Sequence, residues 1–156
     1  MRAALFVLCF SIATLVAGNG NSTPVAHAPY DAALAQRLGA DERGMKSYVL
    51  VILKTGPNVG IPRAESVELF KGHMANINRL ADEGKLLVAG PLVENDHHYE
   101  GIFILNVQTI EDAEALLATD PAIAGGALAF ETYGWYGSAA LQETAAIHRR
   151  IDKTGR

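Results

Sequence analysis

The run Lys46-Ser47-Tyr48-Val49-Leu50-Val51-Ile52-Leu53-Lys54 is apolar on both of its alternating sides, with Val49, Val51 and Leu53 on one and Tyr48, Leu50 and Ile52 on the other. Gly44 precedes it and Thr55-Gly56-Pro57 follows it, and this short β-branched stretch predicts a strand. Successive side chains of a strand point to opposite faces, so a strand with one wet face alternates apolar with polar. This one does not. Both faces of its sheet need a cover: helices can supply one, and the simplest cover for the other is a second copy of the same sheet. The expectation is a homodimer.

The remaining elements fall into a regular order. Between Pro62 and Gly84 the residues Val67, Phe70, Met74, Ile77 and Ala81 recur at steps of three and four, which predicts a helix with that stripe toward the core. Pro62 suits its start, and Gly84 stands where a left-handed residue closes a helix. Lys85 to Leu92 and Tyr99 to Val107 predict a strand hairpin around the polar turn Glu94 to His98. Thr109 is placed to cap a second helix to Thr119, and Asp120-Pro121 starts a short helical segment that ends at Gly125-Gly126. Ala127 to Tyr136 predicts a fourth strand, and Ser138 to Lys153 a C-terminal helix. The order β-α-β-β-α-β is the α+β arrangement of ferredoxin-like folds.

The N-terminus reads differently. Met1-Arg2, the uncharged run Ala3 to Ala17 and the polar Asn19 to Thr23 have the layout of a secretory signal peptide, with small residues for cleavage after Gly18. The run is too short for a membrane span, which needs about 20 apolar residues. The expected organisation is a signal peptide over 1–18, a flexible tether over 19–44 in which Tyr30 to Leu38 can form a helical turn or two, one domain over 45–137 and a helical tail over 138–156. The expected location is periplasmic or secreted, with no membrane association after cleavage. Cys9, the sole cysteine, would leave with the signal and take disulfide and thiol chemistry with it. Net charge is −4 and becomes more negative once Arg2 is lost, which argues against a nucleic-acid partner. Strand three, Tyr99-Glu100-Gly101-Ile102-Phe103, lacks the basic and paired aromatic residues of an RNA-binding sheet.

Few residues carry chemistry. His73 lies on or beside the apolar stripe of the first helix, where an imidazole serves either as a packed side chain bonded to a backbone carbonyl or as a general acid or base. Asp120 is suited to cap its helix, and also to orient an imidazole on the neighbouring helix if the two lie side by side. His97 and His98 are adjacent and would point to opposite sides of an extended chain, which suits a hairpin loop better than a metal site. His148, beside Arg149 and Arg150, reads as helix surface. Tyr133, Trp135 and Tyr136 suit packing, or the wall of an apolar pocket. Arg79 reads as an exposed helix residue or an anion contact. No glycine-rich nucleotide loop and no serine elbow is present.

Residues 46–137 resemble the YCII-related (YciI-like) family. The resemblance rests on the leading apolar strand, the helix carrying His73, the run Asp82-Glu83-Gly84-Lys85-Leu86-Leu87-Val88-Ala89-Gly90-Pro91, and the late Asp120-Pro121. It implies a dimeric α/β barrel of ferredoxin-like subunits and an active site built on His73 and Asp120; no cofactor or metal is expected. One branch of the family is associated with dehydrochlorination of a hydroxylated chloroaromatic compound, whereas the signal peptide, the tether and the tail from Trp135 to Leu141 set this chain apart from small stand-alone relatives. The expectation is an enzyme of lyase or hydrolase type acting on a small organic ligand. The alternative is a non-catalytic dimeric module that binds such a ligand or is purely structural.

Overall fold

The computed structural model describes residues 28–154, and the folded unit begins at Asp31. The expected signal peptide with Cys9, and the expected tether as far as residue 27, lie outside the described residues. The elements are α1 (Ala32–Leu38), β1 (Met45–Thr55), α2 (Arg63–Asp82), β2 (Leu86–Pro91), β3 (Tyr99–Leu105), α3 (Ile110–Leu117), α4 (Pro121–Ala124), β4 (Leu128–Ser138), a 3-10 turn (Ala139–Glu143) and α5 (Thr144–Ile151). None of the described helices is long and apolar enough to cross a membrane.

The four strands form one antiparallel sheet in the order β2-β3-β1-β4. The twice-apolar β1 lies at its centre, with Val49 paired to Leu105 on one side and to Gly134 on the other. Pairing with β4 runs its whole length, from Met45 opposite Ser138 to Thr55 opposite Leu128. This α+β architecture agrees with the ferredoxin-like reading of the element order.

The main core lies between the sheet and the helices. Val49, Val51, Leu53, Phe103 and Leu105 from the sheet pack with Leu80 of α2, Ala113 and Leu117 of α3, and Ala122 of α4. Here the expected phase of α2 is corrected. Val67, Phe70 and Met74 are exposed by 57%, 43% and 53%, and the buried residues of the helix are His73, Asn76 and Leu80. These also repeat at steps of three and four, so the period is as expected but the face is turned. Two polar side chains occupy places that hydrophobicity alone assigns to Phe70 and Met74. Burial of such groups is tolerated only where their hydrogen bonds are made.

The opposite face of the sheet holds a smaller cluster of Tyr48, Leu87 and Ile104, packed with Leu50, Val88 and Leu141. Leu141 comes from the tail, so the chain covers part of this face itself. Tyr48 Oη donates to the Ser138 carbonyl at 3.1 Å, and Ala139 N–H donates to Gly44 O at 2.9 Å. The single C-terminal helix expected after residue 138 is split: β4 runs to Ser138, and the 3-10 turn precedes α5. The second half of the expected tether is built structure. Asp31 caps α1, Gly39 closes it with φ of 62°, and Leu38 is buried. Arg37 pairs with Glu143 at 2.7 Å, and the Gln142 amide donates to the Leu38 carbonyl.

Candidate active site

The candidate residues meet where the middle of α2 crosses the start of α4. At its C-terminus α2 closes as a Schellman turn: Lys85 N–H donates to Leu80 O and Gly84 N–H to Ala81 O, with Gly84 at φ of 68°. Earlier in the same helix Gly72 lies against Pro121. A Cβ on residue 72 would stand 2.8 Å from Pro121 Cγ and 3.0 Å from its Cβ. Only the bare glycine lets α4 approach α2 this closely. The next residue along α2 is His73, and the residue before Pro121 is Asp120.

At that crossing His73 Nδ1 stands 2.7 Å from Asp120 Oδ2. The aspartate is fully buried and His73 is 7% exposed. The capping and orienting readings of Asp120 describe different oxygens of one carboxylate. Oδ1 accepts from Ala122 N–H at 2.9 Å and caps α4, while Oδ2 accepts from His73 and, at 3.4 Å, from Asn76 Nδ2. The imidazole ring stacks on Phe103, with centroids 5.9 Å apart, and meets the Phe70 ring edge-on at 5.8 Å.

Burial is the strongest influence on the Asp120 carboxyl and pushes it up. The hydrogen bond and charge of His73, the Ala122 N–H and the Asn76 amide together outweigh it, and hold the carboxyl below the ordinary carboxylate range. An ionised carboxylate only accepts, so Nδ1 carries the proton and Nε2 of the neutral ring is left with its lone pair. Nε2 has no hydrogen-bond partner among the described residues, and none of their buried side-chain nitrogens or oxygens lacks one. Nε2 is therefore the ring atom that solvent reaches. A base held from behind by a carboxylate, with its second nitrogen unpaired, can take up a proton and return it.

The YCII-related domain matches residues 47–133, more than half of the chain and the whole stretch that contains His73 and Asp120. This chain belongs to the YCII-related family. No curated protein matches it. Among solved structures, the 5-chloro-2-hydroxyhydroquinone dehydrochlorinase of Burkholderia phenoliruptrix AC1100, in complex with 2,5-dihydroxybenzoquinone, is 16% identical over 56% of this chain and 92% of its own, with a TM-score of 0.42. A likeness of that size carries no argument about the reaction.

The other candidate residues lie apart from His73 and Asp120. His97 stacks on Tyr99 with centroids 5.2 Å apart, and His98 is held at φ of 55°. His148 and Arg149 line a cavity of about 520 Å³ between α2, β2 and α5, and a second cavity of about 490 Å³ opens at Glu94, Asn95, Asp96 and His98. His73 lines neither of them. Among the described residues no three His, Cys, Asp or Glu side chains converge as a metal site does. Trp135 packs against Tyr48, Tyr133 donates to Glu131 at 2.7 Å, and Tyr136 donates to Asp41. Arg79 is not a free cation: it binds Glu83 at 2.8 Å, Asn76 Oδ1 at 2.7 Å and Thr119 Oγ1 at 2.9 Å. Asn76, Thr119 and Phe103 were not singled out from the sequence. Asn76 had a signal, since it lies one helical turn after His73 and so shares its face.

Proposed function

We propose that this chain is a secreted or periplasmic small-molecule enzyme of lyase or hydrolase type, in which His73 and Asp120 work as an acid/base pair. The observation that carries the proposal is the 2.7 Å contact between His73 Nδ1 and a fully buried Asp120. In this reading His73 Nε2 accepts a proton from the bound organic substrate, and the Asp120 carboxylate stabilises the imidazolium that forms. The same nitrogen then returns the proton to the product or the leaving group. Phe103 and Phe70 would hold the ring, and the exposed Phe70 would offer an apolar wall to the substrate. Homodimerisation is part of the proposal, supported by the apolar side chains that β1, β3 and β4 carry on the face opposite the helices. Leu50, Ile52, Ile102, Tyr133 and Trp135 all retain exposure there.

A second reading, a non-catalytic dimeric module that binds a small ligand or only maintains structure, is favoured by one observation. Neither cavity opens onto His73. Turnover separates the two. General acid/base groups contribute about 10²–10⁴-fold to rate, so His73→Ala should lower the turnover of any converted compound by that order while circular dichroism remains native. An unchanged rate in the folded variant removes His73 from the chemistry and leaves the binding module.

A further inference from the structure

We propose that Asn76 is a positioning residue of the His73–Asp120 pair, and that Arg79 sets the direction in which its amide points. This deepens the acid/base reading above and rests on it for its functional meaning, although the geometry stands by itself.

The hydrogen bonds around Asn76 form a one-way chain. A guanidinium has donors only, so Arg79 Nη2, at 2.7 Å, requires an oxygen opposite it and makes that atom Asn76 Oδ1. The amide nitrogen must then face the other way, toward Asp120 Oδ2 at 3.4 Å. Thr119 Oγ1 lies within reach of two acceptors, Leu116 O at 2.6 Å and Asn76 Oδ1 at 3.1 Å, and its single proton goes to the nearer. Its lone pair accepts from the same Arg79 nitrogen at 2.9 Å. The chain of bonds runs from Arg79 through Asn76 to Asp120.

Two features make this more than packing. Asn76 is 7% exposed, as buried as His73, on a helix whose apolar Val67, Phe70 and Met74 are left at the surface. An apolar residue at 76 would satisfy a core that needed only filling. Further, the donor reaches the same oxygen that holds His73, so it bears on where the carboxylate sits relative to the imidazole. The 3.4 Å separation makes this the weaker of the two bonds to Oδ2, as suits a trimming contact beside the 2.7 Å bond from His73.

Labelling the full chain with ¹³C and ¹⁵N tests the assignment without any substrate. Asn76→Asp keeps the shape and an acceptor for Arg79 but cannot donate, whereas Asn76→Ala removes both contacts. Arg79→Met leaves Asn76 in place and removes its anchor. The expected result is an upward move of the Asp120 carboxyl titration, largest in Asn76→Asp, where two carboxylates share one site. The neutral His73 ring should shift from the Nδ1-protonated signature to a mixture of both tautomers. Arg79→Met should move both readouts in the same direction by less. A titration and a tautomer unchanged in folded Asn76→Asp and Arg79→Met proteins overturn the proposal. Failure of the catalytic reading looks different, because His73→Ala would leave turnover intact while the Asn76 spectra still change.

Discussion

Asp120 and Asp41 are built alike and buried differently. Each turns one carboxylate oxygen to backbone N–H groups and the other to a ring: Asp120 to Ala122 N–H and the His73 imidazole, Asp41 to Arg43 and Met45 N–H and the Tyr136 phenol. Both carboxyls are held below their ordinary range. At Asp41 the Tyr136 hydrogen bond is the leading cause, and it raises the phenol in turn. At Asp120 burial is the leading influence and the hydrogen bonds must overcome it. The bonding pattern is therefore not what marks a site for chemistry. What distinguishes Asp120 is that burial pushes its carboxyl up against those donors, and that its ring partner is an imidazole, whose second nitrogen keeps a lone pair, rather than a phenol.

The largest contrast should come from truncation. Asp120→Ala removes a helix cap worth about 1 kcal/mol and strands two buried donors at about 1–3 kcal/mol each. A total loss of about 3 kcal/mol or more is expected in urea unfolding, with a much smaller loss for the exposed Asp41→Ala. Equal losses would break the comparison. Next in size is the pH response. A carboxyl depressed in the folded state contributes stability that is fully present above its unfolded value, about 3.9, and lost as pH falls through the folded value. Asp120→Asn should flatten this acid arm of the stability curve in low and high salt alike, whereas the flattening from Asp41→Asn should fade as salt screens an exposed site.

Gly72→Ala is expected to act at shorter range. The added methyl must displace Pro121, which lengthens the bond between His73 and Asp120, while the helix gains about 1 kcal/mol from replacing glycine. Thermal stability should stay near its native value as the His73 tautomer becomes mixed. A native tautomer in that variant would mean that the helix approach does not hold the pair. The smallest effect belongs to Tyr136→Phe. It should lower the acid resistance of Asp41 and leave every His73 signal unchanged, and a change at His73 would show the two carboxylates to be coupled.

The fold was legible because its signals are local. Gly84, Thr109 and Asp120-Pro121 mark helix ends through the conformations and caps that those residues favour, and the structure uses each of them so. The face of α2 was not legible. Periodicity gives the spacing of a stripe, but its rotation depends on which residues find partners across the core, and the bonds that admit His73 and Asn76 come from Asp120, far along the chain. The contact between His73 and Asp120 was likewise beyond reach. It depends on how near two helices come, and that is decided by a missing side chain at Gly72 against the ring of Pro121. The helical turn expected over Tyr30 to Leu38 is found as α1, but its docking was not legible, because it depends on Leu38 meeting Gln142 from the far end of the chain.

The central place of β1 has a kinetic consequence. The first strand to be synthesised is flanked by β3 and β4, and Met45 waits for Ser138 before its last pairing can form. Topologies dominated by such distant partners fold slowly, because loop closure precedes any reward. A ribosome would release most of this polypeptide before the sheet could close. Until then the apolar side chains on both faces of β1 stand without the strands that flank them.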